Sequence, residues 1–271
     1  MRVKFLNNLF HVAAFFIVSL LFLPAETFAW GMSGHRIVGE IAGSYLNPKA
    51  SREIKKILGN ESIAMSSNWA DFVKSDTSFS YLNEWHYVNV DKGLNAEQMA
   101  AALQNDTGVN AYSRLNFLIA QLKNKSLPQN EKLMYLRLLI HIVGDIHQPF
   151  HVSAKGDRGG NDIKLTWFNQ PSNAHRLWDE QLIELQQLSY TEYTRAINFT
   201  TGTQRNKWQA MPVSSWFFDS YQVSEVLHEE LKKPDQKLSY QYNFSHLQTL
   251  NEQLLKGGVR LAGLLNEIFG V

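Results

Sequence analysis

Hydrophobic residues recur at helical spacing along most of the chain and predict a mainly α-helical protein. Over 35–45, apolar side chains return every three or four residues, which places them on one face of a helix. The same spacing predicts further helices over 51–58, 96–103, 111–122, 174–188 and 245–269. The pattern therefore predicts an all-α fold class.

One stretch, 131–145, is apolar almost all round and predicts a central buried helix that ends before Pro149. Residues 156–173 are instead rich in glycine, which predicts a loop. Alternation of apolar and polar residues over 163–167 allows at most a small β-hairpin there. No shift in composition marks a linker, so residues 30–271 are expected to form a single domain.

The first 29 residues have the pattern of a secretory signal peptide. Arg2 and Lys4 precede an apolar run, and a small-residue cleavage site follows it, between Ala29 and Trp30. A membrane anchor is the alternative, but the run is shorter than the roughly 20 residues that a span needs. We therefore expect a secreted or periplasmic protein without stable membrane association.

Charge and cysteine content narrow the possible functions. The chain has 26 basic and 25 acidic residues. The predicted signal peptide contains two of the basic residues and one of the acidic residues, so the mature chain keeps 24 of each. A mature chain near neutrality argues against non-specific coating of nucleic acid, but not against an enzyme that binds phosphate through metal ions. Because the chain has no cysteine, any metal must be held by histidine, carboxylate or main-chain groups.

Two histidine–aspartate pairs carry the candidate chemistry. His141 and Asp145 are four residues apart on the predicted central helix, and His175 and Asp179 repeat this spacing, which puts both members of a pair on one helix face. A single pair is more often a hydrogen bond on a helix surface. Two pairs, with His151 close to the first, favour zinc, because a buried aspartate needs a cation or a partner. Further candidate ligands upstream are His35, Asp71 and His86.

Taken together, these residues resemble the S1/P1 nucleases, a family of zinc-dependent nucleases, in a bacterial-type form without cysteines. The matching pieces are Trp30-Gly31 with His35, Trp69-Ala70-Asp71, His86, His141 to Asp145 with Gln148-Pro149 and His151, Gly159-Gly160-Asn161, and His175 with Trp178-Asp179. Any one piece is weak, but their order and spacing are specific in combination.

The resemblance implies a helical fold with three zinc ions in a cleft. One ion would take Asp71, His86, His141 and Asp145; the second would take His151, His175 and Asp179; the third would take His35, Asp145 and the amino and carbonyl groups of Trp30. Signal-peptide cleavage would create that free amino group. Asp71 and Asp145 are thus implied as catalytic residues as well as ligands.

The implied activity is an endonuclease that cleaves single-stranded DNA and RNA to 5′-phosphate products through a zinc-activated hydroxide, with 3′-nucleotidase activity on nucleotides. A deep metal cleft excludes stacked duplex, so a base must be splayed out onto an aromatic side chain. A monomer is the expected state.

Four residues are implied as substrate-binding by the resemblance: Tyr87 as the base platform, Gly160 and Asn161 as a loop beside the base, and Lys74 as a phosphate contact. Tyr87 could instead be a core aromatic, and Lys74 a solvated surface lysine. Asn89 stands where other members often carry an acid that orients the attacking water.

Two rival functions remain from the sequence. Bacterial zinc phospholipases C share the fold and the helical histidine–aspartate motif, but the short spacing from Trp30 to His35 and the aspartate at 179 favour a nuclease. A zinc-binding protein without catalysis is the other rival. His147 does not match a ligand position, and we expect it to be either behind the ligands or exposed to solvent.

Overall fold

Most of the protein is helical, as the hydrophobic pattern predicts. The structure is a computed structural model that describes residues 30–270, so the predicted leader over 1–29 lies outside the described residues. The α-helices, numbered in chain order, are α1 (Met32–Ser44), α2 (Pro48–Leu58), α3 (Ile63–Ser66), α4 (Trp69–Phe72), α5 (Ala96–Asn105), α6 (Ala111–Lys123), α7 (Gln129–Asp145), α8 (Ala174–Arg176), α9 (Leu182–Glu184), α10 (Tyr190–Ile197), α11 (Gly202–Gln209), α12 (Val213–Glu230) and α13 (Tyr240–Phe269). Tighter 3-10 segments cover Val73–Ser75, Thr77–His86 and Pro149–His151, and a π-helical segment, Leu177–Gln181, joins α8 to α9.

Side-chain caps fix where several helices begin. The Asn47 side chain accepts a hydrogen bond from the Ala50 amide, and Pro48 occupies the first helical position of α2. Asn95 and Asn110 each form a capping box at the start of α5 and α6. These caps satisfy backbone N–H groups that the first helical turn leaves without partners.

Helix α7 is the buried axis of the fold. Every residue of its last two turns, from Leu138 to Asp145, is buried. It packs against α1, α6 and the long C-terminal helix α13. Within residues 30–270, none of the helices combines the length and hydrophobicity that a bilayer-spanning segment needs. The central buried helix predicted from the sequence is therefore confirmed, with its burial concentrated at the histidine–aspartate end.

Two small sheets accompany the helices. Strands β1 (Val88–Val90) and β2 (Val152–Ala154) pair in parallel. The predicted hairpin is formed by β3 (Lys164–Trp167) and β4 (Gln170–Asn173), and β5 (Gln236–Leu238) joins β3 in parallel. Strands β1, β2 and β5 were not expected, but the fold is mainly helical as predicted.

The structure departs from the predicted helices mainly over residues 190–230. Helices α10, α11 and α12 occupy a region where the pattern predicted none. The C-terminal helix begins at Tyr240 rather than at residue 245, and the helix after the hairpin ends at Glu184 rather than at 188. Helix α12 was not predicted because its buried face includes two polar residues, Ser220 and Ser224, which interrupt the apolar spacing.

Candidate metal centre

The first histidine–aspartate pair lies at the buried end of α7, and its aspartate is the centre of the site. Asp145 Oδ2 is 3.2 Å from His141 Nε2 and 2.9 Å from His86 Nδ1. Its other oxygen, Oδ1, is 3.3 Å from His35 Nε2 and 3.8 Å from His151 Nδ1. One carboxylate therefore reaches four histidine rings that come from separate segments of the chain.

Helix α1 brings His35 into the site, where its ring stacks on that of His141 with centroids 3.9 Å apart. The approach is possible because Gly144 faces it: a Cβ at Gly144 would lie 2.7 Å from His35 Nδ1. From α4, Asp71 reaches the same place, with Oδ2 4.0 Å from His35 Nε2 and Oδ1 3.7 Å from His141 Nε2. The upstream candidates thus join the pair on α7.

The second histidine–aspartate pair forms a neighbouring cluster. Asn173 caps α8 and so starts the helix that carries His175, whose Nε2 is 3.0 Å from Asp179 Oδ2. His151 Nε2 lies 3.8 Å from Asp179 Oδ1, and the two imidazole rings stack with centroids 4.9 Å apart. Gln148, which sequence analysis gave no separate role, donates a hydrogen bond from Nε2 to Asp179.

Three of the histidines are oriented by main-chain carbonyls. Nδ1 of His141 donates to the Ser67 carbonyl at 2.6 Å, and Nδ1 of His151 donates to the His86 carbonyl at 2.7 Å. His175 Nδ1 donates to the Gly159 carbonyl at 2.7 Å. A proton fixed on Nδ1 leaves Nε2 as a free lone pair directed into the cleft, which is how ligating histidines are commonly held.

Grouped by distance, these side chains form three sets whose potential ligand atoms lie within 4.8 Å of one another. The sets are His35 with Asp71 and His141, His86 with His141 and Asp145, and His151 with His175 and Asp179. All of these residues are buried. The structure therefore brings together every histidine and aspartate that the sequence analysis named as a ligand.

Several buried atoms in these sets lack a hydrogen-bond partner among the described residues. They are both ring nitrogens of His35, Asp71 Oδ2, His86 Nε2, Asp145 Oδ1 and His151 Nε2. Buried polar atoms without partners cost free energy, so the clustering of six in one cleft needs a cause. A bound cation would satisfy the lone pairs that converge there.

Burial also shifts the pKa values in the cleft. It raises the pKa of Asp145 to about 7, because the charged carboxylate loses its hydration. For His141, burial acts to lower the pKa, but the carboxylates of Asp145 and Asp71 outweigh it and raise the pKa above its usual value. Burial lowers the pKa of three other cluster histidines well below the usual value, His35, His86 and His151. Neutral imidazoles of His35, His86 and His151 beside the Asp145 carboxylate are the forms of these side chains that bind a metal cation.

His147 is not exposed, so that part of its prediction is wrong. It is fully buried behind the clusters, donating from Nδ1 to the Val143 carbonyl at 2.7 Å. Its Nε2 lies 3.1 Å from the guanidinium of Arg260, which is itself paired with Asp219. Burial, together with the positive charge of Arg260, lowers the pKa of His147 well below its usual value. This histidine therefore links α7 to α13 behind the cleft.

Trp30 is fully buried at the start of α1. The next residue, Gly31, donates its amide to the Asp179 carbonyl at 2.8 Å and accepts from the His35 amide at 3.3 Å. Through these two hydrogen bonds Gly31, the chain neighbour of Trp30, connects the segment of His35 with that of Asp179. A ligand role for its amino and carbonyl groups stays a prediction.

The predicted substrate residues lie on segments that border the clusters. Tyr87 follows His86 directly and is 40% exposed, so it is not a core aromatic. Lys74 is not a solvated lysine either, because its ammonium lies 2.7 Å from Asp71 Oδ1 and its side chain is only 16% exposed. Asn89 is half-buried in β1, where Ser153 is its register partner on β2.

Gly160 and Asn161 belong to the glycine-rich loop before β3. Gly160 has a φ of 76° and is buried, and a Cβ there would lie 2.5 Å from the Phe150 ring. Only glycine combines this backbone conformation with such a close approach. Asn161 is half-buried, and its side chain donates to the Arg158 carbonyl at 2.8 Å.

Comparison with known proteins agrees with this geometry. The family model described as S1/P1 nuclease matches residues 30–270. Endonuclease 3 of Arabidopsis thaliana is 30% identical, over 93% of this chain and 94% of the relative. Endonuclease 2 of the same plant is 28% identical, over 96% and 98%, and nuclease S1 of Aspergillus oryzae is 27% identical, over 92% and 94%. The predicted nuclease activity is confirmed, which favours it over the phospholipase and the non-catalytic alternative.

Proposed function

Because the chain belongs to the S1/P1 nuclease family and is therefore a nuclease, we propose that it depends on zinc and cleaves single-stranded DNA and RNA, with 3′-nucleotidase activity at the same site. The observation that carries this proposal is the convergence of buried histidine and carboxylate atoms without hydrogen-bond partners among the described residues. A cation that satisfies these atoms removes the cost of burying them.

Zinc is the metal that best fits the donor set. The ligands are imidazole nitrogens and carboxylate oxygens, and the chain has no cysteine. The proposed holders are Asp71, His86, His141 and Asp145 for one ion, His151, His175 and Asp179 for a second, and His35, Asp145 and the main-chain amine and carbonyl of Trp30 for a third. When bound, zinc would lower the pKa of a water molecule and neutralise charge on the phosphate.

Lys74 and Asn89 would act on the phosphate and on the attacking water. Lys74 carries its charge 2.7 Å from Asp71, so a phosphate at the metal centre would lie within reach of its flexible side chain. Asn89 can accept a hydrogen bond from water and orient it, but an amide cannot take up the proton. The Asn89 side chain would therefore position the attacking water without serving as a general base.

Selectivity for single strands would come from Tyr87. Tyr87 follows His86 in the chain and is 40% exposed, so an unstacked base could lie on its ring while the adjoining phosphate enters the cleft. Gly160 and Asn161 would border the same base. Bases in a duplex remain stacked and paired, so they could not reach the ring without being flipped out.

Export would complete the site under this proposal. Removal of residues 1–29 in a secreted or periplasmic pathway would free the amino group of Trp30 as a ligand. All proposed ligands come from one chain, so the site would be complete in a monomer.

Purified protein that begins at Trp30 tests the proposal. It should cleave a single-stranded DNA oligonucleotide and an RNA oligonucleotide, release phosphate from a 3′-nucleotide, and cut the matching duplex far more slowly. It should leave phosphatidylcholine vesicles intact. Chelator should abolish cleavage, and zinc should restore it.

The matched control is Asp91→Asn, which removes an exposed carboxylate whose side chain is 77% exposed and pairs with Lys155 outside the clusters. This variant should cleave like the wild type. Zinc bound without cleavage of any nucleic acid, or cleavage that chelator leaves unchanged, would contradict the proposal.

A further inference from the structure

The loop that carries Gly160 and Asn161 also holds one of the proposed ligands. We call residues 156–162 the glycine loop. His175 Nδ1 donates to the Gly159 carbonyl of this loop at 2.7 Å. A shift of the loop would therefore move both the proposed base contacts and the carbonyl that orients His175.

Asp157 makes three contacts that hold the glycine loop in place. Its Oδ1 accepts a hydrogen bond from the Gly160 amide at 3.0 Å, and its main-chain carbonyl accepts from the Asp162 amide at 3.1 Å. Its other carboxylate oxygen, Oδ2, lies 2.6 Å from His228 Nε2. His228 stands on α12, so this contact anchors the loop to a long helix of the scaffold.

The side chain of Phe150 also packs against the glycine loop, next to the contact between Asp157 and His228. The Phe150 ring lies between the loop and α12, with its centroid 5.2 Å from that of His228. The same ring closely approaches Gly160, where a Cβ would be 2.5 Å away. Among the described residues, the contact between Asp157 and His228 is the ion pair that joins the loop to α12.

Both ring nitrogens of His228 face hydrogen-bond acceptors. Nε2 faces the Asp157 carboxylate at 2.6 Å, and Nδ1 faces the Ser224 main-chain carbonyl at 2.7 Å. The Ser224 hydroxyl, 3.3 Å from Nδ1, is the weaker contact on that side. A neutral imidazole carries one proton and can donate to only one of these acceptors. The doubly protonated ring is the form that satisfies both.

We propose that Asp157 and His228 are positioning residues of the nuclease and that they latch the glycine loop in place only while His228 is protonated. The effect on substrate rests on the proposed function, because it assumes that Gly160 and Asn161 border the bound base. The latch itself, a loop held to α12 by an ion pair, stands on the contacts alone.

The charges around His228 support its protonated form. Burial alone would lower its pKa, but the hydrogen bonds to Asp157 and to the Ser224 carbonyl, with the nearby Glu225, raise the pKa above its usual value. Glu229 on the same helix also interacts electrostatically with His228. Burial acts to raise the pKa of Asp157, but the hydrogen bonds from His228 and from the Gly160 amide, with the charges of His228 and Lys92, lower it below its usual value. Because the folded pKa of His228 is raised, the latch is complete below the ordinary histidine pKa of about 6.5 and is lost as pH rises through the folded value.

Hydrogen–deuterium exchange of the loop amides tests the latch without reference to catalysis. In the wild type, protection of the Gly160 and Asp162 amides, corrected for intrinsic exchange, should fall about tenfold between about pH 6 and about pH 9. In His228→Gln and Asp157→Asn these amides should be weakly protected at every pH. His246→Gln is the matched control, because His246 also pairs with a carboxylate of α12, Glu230 at 3.0 Å, but does not touch the loop.

Kinetics on a single-stranded oligonucleotide test the consequence. In the wild type and in the His246→Gln control, the ratio of KM to the KM of His228→Gln should rise about five- to tenfold over the same pH range. The KM of His228→Gln itself should be high throughout and should not show this transition. The proposal would be overturned if the exchange protection of the loop amides changed neither with pH nor in the His228→Gln and Asp157→Asn variants. If the protein cleaved no nucleic acid, the exchange data would still decide on the latch, so the two failures are distinguishable.

Discussion

At the scale of single residues, the carboxylate of Asp145 has contacts that no other side chain in the cleft matches. It lies 3.3 Å from His35, 2.9 Å from His86 and 3.2 Å from His141. The histidines that approach Asp179 among the described residues are two, His175 and His151. Under the proposed ligand sets, Asp145 would serve two ions and Asp179 one.

We therefore expect Asp145→Asn to lower kcat/KM on a single-stranded oligonucleotide on the order of tenfold more than Asp179→Asn. It should also reduce the zinc content of the purified protein further, as measured by elemental analysis. Equal losses in the two variants would count against a carboxylate shared between ions.

Gly144 is the residue that lets His35 enter the cleft. A Cβ there would lie 2.7 Å from His35 Nδ1, so Gly144→Ala should displace the ring, cost about 1–3 kcal/mol in the free energy of unfolding, and reduce the zinc bound per chain. Gly43→Ala on the same helix as His35 is the control, because within residues 30–270 its Cβ position has no packing neighbour closer than 4 Å outside the local helix backbone. Unchanged zinc content in a folded Gly144→Ala protein would show that His35 does not depend on this space.

The sequence predicted two pairs in the cleft from helical spacing alone, His141 with Asp145 and His175 with Asp179. It assigned His35, Asp71 and His86 to the same ligand sets only through the family resemblance. It could not predict which ring nitrogen each histidine directs inward, since that depends on carbonyls such as that of Ser67, distant in sequence from its histidine. The burial of His147 escaped prediction for the same reason, because its partner Arg260 lies on the last helix.

At the scale of elements, the position of the site depends on how closely α1 and α13 pack. Gly258 on α13 lies against Ile41 and the Val38 carbonyl of α1, where a Cβ would overlap the Ile41 side chain. Gly258→Ala should therefore push apart two helices that pack directly against each other, one of which carries His35. We expect it to lower the free energy of unfolding by about 1–3 kcal/mol in urea denaturation, whereas Gly43→Ala should be neutral or slightly stabilising. An unchanged urea midpoint would mean that the helices can separate without cost.

The elements that the pattern missed are those whose stability comes from distant partners. Strands β1 and β2 have three residues each, and their pairing, which begins with Val88 opposite Val152, joins segments that are far apart in the chain. Helix α12 buries Ser220, whose hydroxyl donates to the Ile146 carbonyl at 2.5 Å, so a polar residue occupies a core position. Helices with an unbroken apolar period, such as α7, were predictable because local spacing alone reveals their buried face.

At the scale of the whole molecule, the proposed amine ligand of Trp30 would link export to assembly of the metal centre. An extra residue before Trp30 would convert its amine to an amide, which lacks a lone pair for a metal. The surroundings are also tight, because a Cβ at the next residue, Gly31, would lie 2.7 Å from Glu180 Cγ. A protein with one added N-terminal methionine should therefore bind one zinc fewer and lose most of its activity. Full activity with three zinc ions would contradict the role of the amine.

The central claim is that buried clusters of histidine and aspartate make this nuclease dependent on zinc. The most direct test is to strip the purified protein with chelator and titrate zinc back while following cleavage of a single-stranded oligonucleotide. Activity should be absent in the stripped protein and should reach its plateau only near three zinc ions per chain, as the three proposed ligand sets require. Full cleavage by the stripped protein, or a plateau at one ion per chain, would contradict the claim.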